Sequence, residues 1–307
     1  MFNNLIELIT SMPTEQQCRD FYAKCRWTDG KPVCVHCGST KVYTIQGGKR
    51  YECGEKLCKK RFSVTCGTVF HASNIPLTKW FMAVYLCINH KKGISSYQLG
   101  RDIGVTQKTG WFMLHRIRQL MMPEDNVMLN TVVEIDETWI NGKMKNKHKA
   151  VRAKAHASNI SHTDDKQAVM GYLQRDGILK LNKMKEDKTL KEQVKDNVLP
   201  EAVVITDGLN AYKGLDKTFE AHEIVNHKED EYVRGDIHTN SIEGAFGLFK
   251  RMVLGIYHKI DSKHLDRYCG EFCYRYNSRK IKDCDRFKMS LTQTEKRITY
   301  KALTGKK

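Results

Sequence analysis

The chain has 307 residues, a length that suits two or three domains, and its 40% hydrophobic content is enough for real cores. Lys and Arg outnumber Asp and Glu by 52 to 35, and the resulting net charge of +17 favours a polyanionic partner, with nucleic acid the usual one. No run approaches the roughly 20 apolar residues a spanning helix needs, so a membrane span is excluded. No secretory segment opens the chain, and eleven cysteines is an odd number without framework spacing, so disulfides are not expected.

Residues 1–26 read as a helical lead-in: Leu5, Leu8 and Ile9 recur at helical spacing, and Pro13 starts a second short helix. Residues 27–70 form a cysteine module. Its core is Cys34-Val-His-Cys37, then fifteen residues, then Cys53-Gly-Glu-Lys-Leu-Cys58. Four thiols in two close pairs, separated by about one hairpin, predict a tetrahedral zinc ion on Cys34, Cys37, Cys53 and Cys58. Gly38 and Gly54 let backbone amides turn toward the sulfurs, and Cys66 or His36 is a substitute ligand. Arg61 to Val64 reads as the short strand a zinc ribbon needs. Cys18, Cys87, Cys269, Cys273 and Cys284 read as small buried hydrophobes.

Residues 71–125 are helical. Pro76 suits a first turn, and Trp80, Val84 and Ile88 repeat as a core stripe. From Gly93 to Thr109 the pattern is helix, turn at Gly104, and new helix from Thr106, as in a helix-turn-helix. The second helix carries Gln107, Lys108, His115, Arg116 and Arg118 outside an apolar stripe of Trp111, Leu114 and Ile117. An ordinary αα-hairpin gives the same pattern; the basic background makes Gln107, Lys108 and Arg116 the expected DNA contacts.

Residues 126–285 read as an α/β domain, and 286–307 as a basic C-terminal tail. Residues 131–140 alternate, with Val133 and Ile135 on one strand face and Glu134, Asp136 and Thr138 on the other. Six cations and no acid follow at 143–154, a solvated loop or a phosphate contact. Two strands flank the turn signal Arg175-Asp176-Gly177. A helix over 188–198, an apolar strand over 202–206, a helix around Tyr212, a strand over 222–226 and a long helix over 240–254 complete the order β-β-β-α-β-α-β-α. That order predicts a mixed sheet covered by helices.

Its first and fourth strands are then neighbours, so Asp136 and Asp207 converge although 71 positions apart, and Glu243 joins them from the last helix. Each has a structural explanation alone: Asp207-Gly208 as a turn, Asn240 to Glu243 as a capping box. Together, three hard oxygen donors at one sheet edge suit Mg2+ or Mn2+, and two such ions about 4 Å apart serve phosphodiester cleavage.

At this point the chain resembles a known family. Ile135-Asp136-Glu137-Thr138-Trp139-Ile140, Thr206-Asp207-Gly208 and His238-Thr239-Asn240-Ser241-Ile242-Glu243-Gly244 are similar to the signatures of DDE-type insertion-sequence transposases of the ISXO-like group, which carry an N-terminal zinc ribbon. Lys91 to Ser96, Gly104 to Thr109, and Phe62-Ser63-Val64 with Gly67-Thr68 match as well, so the likeness runs from about 20 to 280. Val35, Asn141 and Ala245-Phe246 depart from the usual pattern without removing a ligand. The resemblance implies a ribonuclease-H-like fold and a triad of Asp136, Asp207 and a third ligand. That ligand is Glu243, with Lys250 seven residues later, or alternatively Asn240. It further implies Lys250 or Arg251 on phosphate, and binding of terminal inverted repeats and target DNA by a homo-oligomer. The setting it implies is the prokaryotic cytoplasm and its nucleoid. A zinc-ribbon DNA-binding regulator with an inactive catalytic fold is the alternative.

Overall fold

A computed structural model of the chain describes residues 2–27, 29–122, 127–141, 166–226, 233–292 and 297–305, with 149, 150, 153, 229 and 231 as single positions. Apart from Lys149, the cations of the 143–154 run lie outside the described residues. The chain divides into two compact units, one made of Met1–Met122 with Ser278–Lys307, the other of Pro123–Asn277.

In the first unit the lead-in is two helices, α1 (Leu5–Ser11) and α2 (Glu15–Arg26). Thr14, not Pro13, caps α2: its hydroxyl accepts from the Gln17 amide while the Gln17 side chain reaches back to the Thr14 backbone. The cysteine module folds as an antiparallel sheet of β1 (Val42–Ile45), β2 (Arg50–Cys53) and β3 (Arg61–Phe62). Strand β3 is shorter than expected because the chain turns at Val64. Tyr51 stacks on Phe62 at 5.6 Å and meets Trp27 edge-on at 5.1 Å, a small aromatic core beside the thiols. Helix α3 (Leu77–Asn89) buries Trp80, Val84 and Ile88, the expected stripe. Helices α4 (Ser96–Ile103) and α5 (Gln107–Leu120) follow. Gly104 ends α4 at φ +63°, a left-handed conformation open to glycine, and Thr106 caps α5 by accepting from the Thr109 amide.

The second unit holds a mixed five-stranded sheet: β4 (Val132–Ile140), β5 (Gln167–Gln174), β6 (Leu179–Lys183), β7 (Val203–Asp207) and β8 (Ala221–Val225), in the spatial order β6-β5-β4-β7-β8. Strands β4, β5 and β6 are antiparallel neighbours, whereas β7 runs parallel to β4 and β8 parallel to β7. The Arg175-Asp176-Gly177 turn joins β5 to β6, closed by the Gln174 amide on the Ile178 carbonyl. Helix α6 (Leu190–Lys195) precedes β7. The helix expected around Tyr212 is instead two 3₁₀ turns, Asn210–Tyr212 and Leu215–Lys217, interrupted by Gly214 at φ +89°. Helix α7 (Asn240–Met252), a π-helical turn (Val253–Tyr257) and α8 (Leu265–Asn277) complete the unit.

Strand alternation sorts the core into two layers. Val133, Ile135, Met170, Tyr172 and Val204 pack with Val194 of α6 and with Tyr212. On the other face Ile140, Val169, Leu173 and Leu181 pack with Ile242, Phe246 and Phe249 of α7 and with Phe272 of α8. Among the described residues no helix is long and apolar enough to cross a membrane. Helices α9 (Asp283–Thr292) and α10 (Tyr300–Thr304) return to the first unit. There the ring of Phe287 lies 5.4 Å from Phe2, 5.5 Å from Phe81 and 6.3 Å from Tyr85.

Candidate active site and metal centre

Cys34 and Cys37 precede β1, Cys53 closes β2, and Cys58 lies in the turn after it. Their four Sγ atoms all lie within 4.8 Å of one another, with Cys34–Cys58 at 3.8 Å and Cys37–Cys53 at 3.5 Å. A tetrahedron of Zn–S bonds of about 2.3 Å has S···S edges of about 3.8 Å, so the thiols fit a zinc ion. Cys66 and His36 are not in this group. Backbone amides turn toward the sulfurs as expected, those of His36 and Cys37 to Cys34, of Ser39 to Cys37 and of Glu55 to Cys53, while the Gly38 and Gly54 amides themselves bond the Cys34 and Lys41 carbonyls. Burial opposes the Cys34 thiolate, but the His36 and Cys37 amides and the neighbouring thiols outweigh it and draw its thiol down to about 7. No disulfide joins any two of the eleven cysteines.

In the second unit, Val132 stands beside Val203 and Glu134 beside Ile205 on the parallel strands β4 and β7. Carried two residues further, that register sets Asp136 beside Asp207, and in-register residues share a face. It is the face under α7. Gly171 pairs with Asp136 across β5, and a Cβ added there would meet Phe246 at 2.6 Å and Ile242 at 2.8 Å. Burial, joined by the charges of Glu137, Asp207 and Glu243, lifts the Asp136 carboxyl to about 7. The Glu137 amide, donating to Asp136 Oδ1 at 2.8 Å, works the other way. The trio is looser than the thiols: among the described residues only the four cysteines bring three or more such ligand atoms within 4.8 Å of one another. The donors are carboxylate oxygens, the set that Mg2+ or Mn2+ prefers.

The third position expected from the sequence has two candidates one turn apart. Asn240 and Glu243 are both exposed on the first turn of α7. The Asn240–Glu243 capping box does not form: Thr239 is the N-cap, and its hydroxyl donates to Glu243 Oε1 at 3.1 Å. Lys250 and Arg251 are exposed on the last turn of the same helix.

Two groups escaped the sequence reading. Tyr212 donates its hydroxyl to Glu137 Oε2 at 2.6 Å, and burial pushes both acids upward. Glu134, read only as a strand-face carboxylate, is fully buried. It accepts from the Ser241 and Ile242 amides, both at 3.0 Å, and from Arg175 Nε at 2.9 Å. One signal was present: an acid on an inward strand face needs a partner, and Arg175 opens the turn beside it.

On α5, Gln107 and Lys108 are exposed at the N-terminal end. Arg116, expected to face outward, is 3% exposed, and His115 and Arg118 are buried as well. The Arg116 guanidinium donates to the His71 carbonyl at 2.6 Å and lies over the Trp80 and Phe112 rings. Burial, aided by Arg297, brings it down to about 10.

Residues 128–277 match the family of the ISXO2-like transposase domain, and residues 13–61 match the transposase zinc-ribbon domain. Over 259 residues the chain is 29% identical to an uncharacterized protein in the transposable element ISH50 of Halobacterium salinarum, covering 79% of this chain and 84% of that one. No solved structure matches.

Proposed function

We propose that this chain, which joins a transposase zinc ribbon to an ISXO2-like transposase domain, binds the terminal inverted repeats of an insertion sequence, cleaves DNA at them and joins the freed 3′-OH to target DNA. Its second unit is a ribonuclease-H-like catalytic domain in this reading, and its first unit, with the zinc ribbon and α4–α5, binds double-stranded DNA. The observation that supports this reading is the parallel pairing of β4 with β7, the strands that carry Asp136 and Asp207, together with the charges of Asp207 and Glu243 acting on Asp136.

Asp136 and Asp207 would hold Mg2+ or Mn2+, with Glu243 completing the set and Asn240 as the alternative. When bound there, two such ions supply positive charge to the attacking and leaving oxygens of a phosphodiester. Lys250 and Arg251 hold phosphate oxygens and so align the strand. Gln107 and Lys108, exposed at the start of α5, meet DNA; Arg116, spent on the His71 carbonyl and two rings, supports the helix from within. An element has two ends, so copies of the chain act together in the active complex, on the nucleoid of a prokaryotic cytoplasm.

The test is a cleavage assay on DNA carrying an element end. Asp136→Asn or Asp207→Asn should abolish cleavage while end binding stays equal or tightens, because a negative charge facing phosphate is removed. A variant that binds and still cleaves at the unaltered rate overturns the reading.

A further inference from the structure

We propose that Glu134 is a positioning residue that fixes the first turn of α7, and with it Asn240 and Glu243, relative to Asp136. The inference rests on the reading of Asp136, Asp207 and a residue of α7 as a metal-binding set. Glu134 lies on β4 two residues before Asp136 and on the same face, with no exposed surface. Its Oε2 accepts from the amides of Ser241 and Ile242, both at 3.0 Å. Its Oε1 accepts from Arg175 Nε at 2.9 Å and lies 3.4 Å from His238 Nδ1. The same guanidinium donates through Nη2 to the His238 carbonyl at 3.2 Å. One carboxylate therefore ties together the strand of Asp136, the β5–β6 turn and the segment that opens α7.

The first amides of a helix have no partner within it, and a carboxylate suits their positive end. The usual solution is local, a side chain at the N-cap. Here the N-cap is Thr239, which makes no side-chain cap bond, and the acceptor comes from a residue 107 positions away. As a source of stability this is a poor choice, because the carboxylate must be wholly stripped of water and the half-buried Arg175 guanidinium partly so. What the long-range bond provides is register. It pins the helix to the strand within one pleat of Asp136, and the two amides it holds belong to the residues between Asn240 and Glu243. Gly171 acts in the same sense, since its missing side chain lets Ile242 and Phe246 rest on the sheet opposite Asp136.

The experiment measures Mn2+ affinity of the full chain by titration, counting only the binding that Asp136→Asn removes. Glu134→Gln keeps the shape but sets an amide N–H among three donors. It should weaken Mn2+ about 10–100-fold, the range for groups that orient ligands, with end binding unchanged. The loss should vanish in whichever of the Glu243→Gln and Asn240→Ala backgrounds itself weakens Mn2+, since Glu134 acts through that residue. Arg175→Lys, which keeps the charge but not the fork, should shift affinity the same way by less, and it decides the matter if Glu134→Gln does not fold. A folded variant with unaltered Mn2+ affinity, or losses that add in both backgrounds, reduces Glu134 to a helix cap and overturns the proposal. An unaltered chain without Asp136-dependent Mn2+ binding overturns the metal reading, and this inference with it.

Discussion

Asp136 carries a conflict between stability and chemistry. Its folded-state pKa of about 7 stands well above the ordinary 3.8. The folded chain therefore holds this proton more tightly than the unfolded one, and the residue's contribution to stability falls as pH rises from about 4 to 7 and stays low above. Asp136→Asn should accordingly raise the melting temperature at pH 8 in buffer free of Mg2+ and Mn2+. The gain corresponds to at most about 4 kcal/mol, the equivalent of roughly three pKa units, and should disappear near pH 4. A thermal melt at the two pH values measures it, and equal gains at both would show that the cost of holding the buried Asp136 charge, next to other carboxylates, is not the cause. That the strands of Asp136 and Asp207 would be neighbours was legible from sequence, because the element order puts an alternating strand beside the apolar strand that ends at Asp207. Arg116 was misread because a helical wheel places charge outward, whereas Trp80, Phe112 and the His71 carbonyl close over this guanidinium. Glu134 was placed on its strand face, but its role was not read, because its partners lie 41 and 107 positions away.

Among the elements, the seat of α7 on β5 is the most sensitive. Gly171→Ala would force its Cβ into the ring of Phe246 and the tip of Ile242, both in the packed layer under α7. Overpacking of this kind costs about 1–3 kcal/mol, and lifting α7 also moves Glu243. The expected result is a lower midpoint in urea together with weaker Mn2+ binding; Gly171→Ala with both unaltered would mean that α7 has slack. The strands of this unit were readable to within a residue or two, because β4 alternates and Arg175-Asp176-Gly177 marks a hairpin. The segment around Tyr212 was not, since its apolar residues suit a helix, and only the backbone at Gly214 reveals two short turns.

At the scale of the molecule, the zinc and acid sites lie in different compact units. The purified chain should carry close to one equivalent of zinc, and Cys37→Ser should lose it along with end binding, because a small zinc module is folded by its metal. Metal analysis and a gel-shift assay check this, with Asp136-dependent Mn2+ affinity as the control expected to persist. A folded, zinc-free preparation that still binds ends would remove the zinc from the account. The paired cysteines made this site the most legible feature of all, since four thiols at that spacing have few other uses.

The first unit is also discontinuous: Phe287 of α9 completes an aromatic cluster begun by Phe2, Phe81 and Tyr85. On a ribosome, the rings near the start of the chain wait for a partner that emerges only after all of Pro123–Asn277 has been made. The second unit can fold as it appears, whereas the first finishes last, by closing a long loop. A chain truncated after α8 would thus keep the strands of Asp136 and Asp207 and lack the ring that closes the first unit. The order of synthesis leaves until last the unit to which the proposed function gives the binding of DNA, so that unit is finished only when the chain is whole.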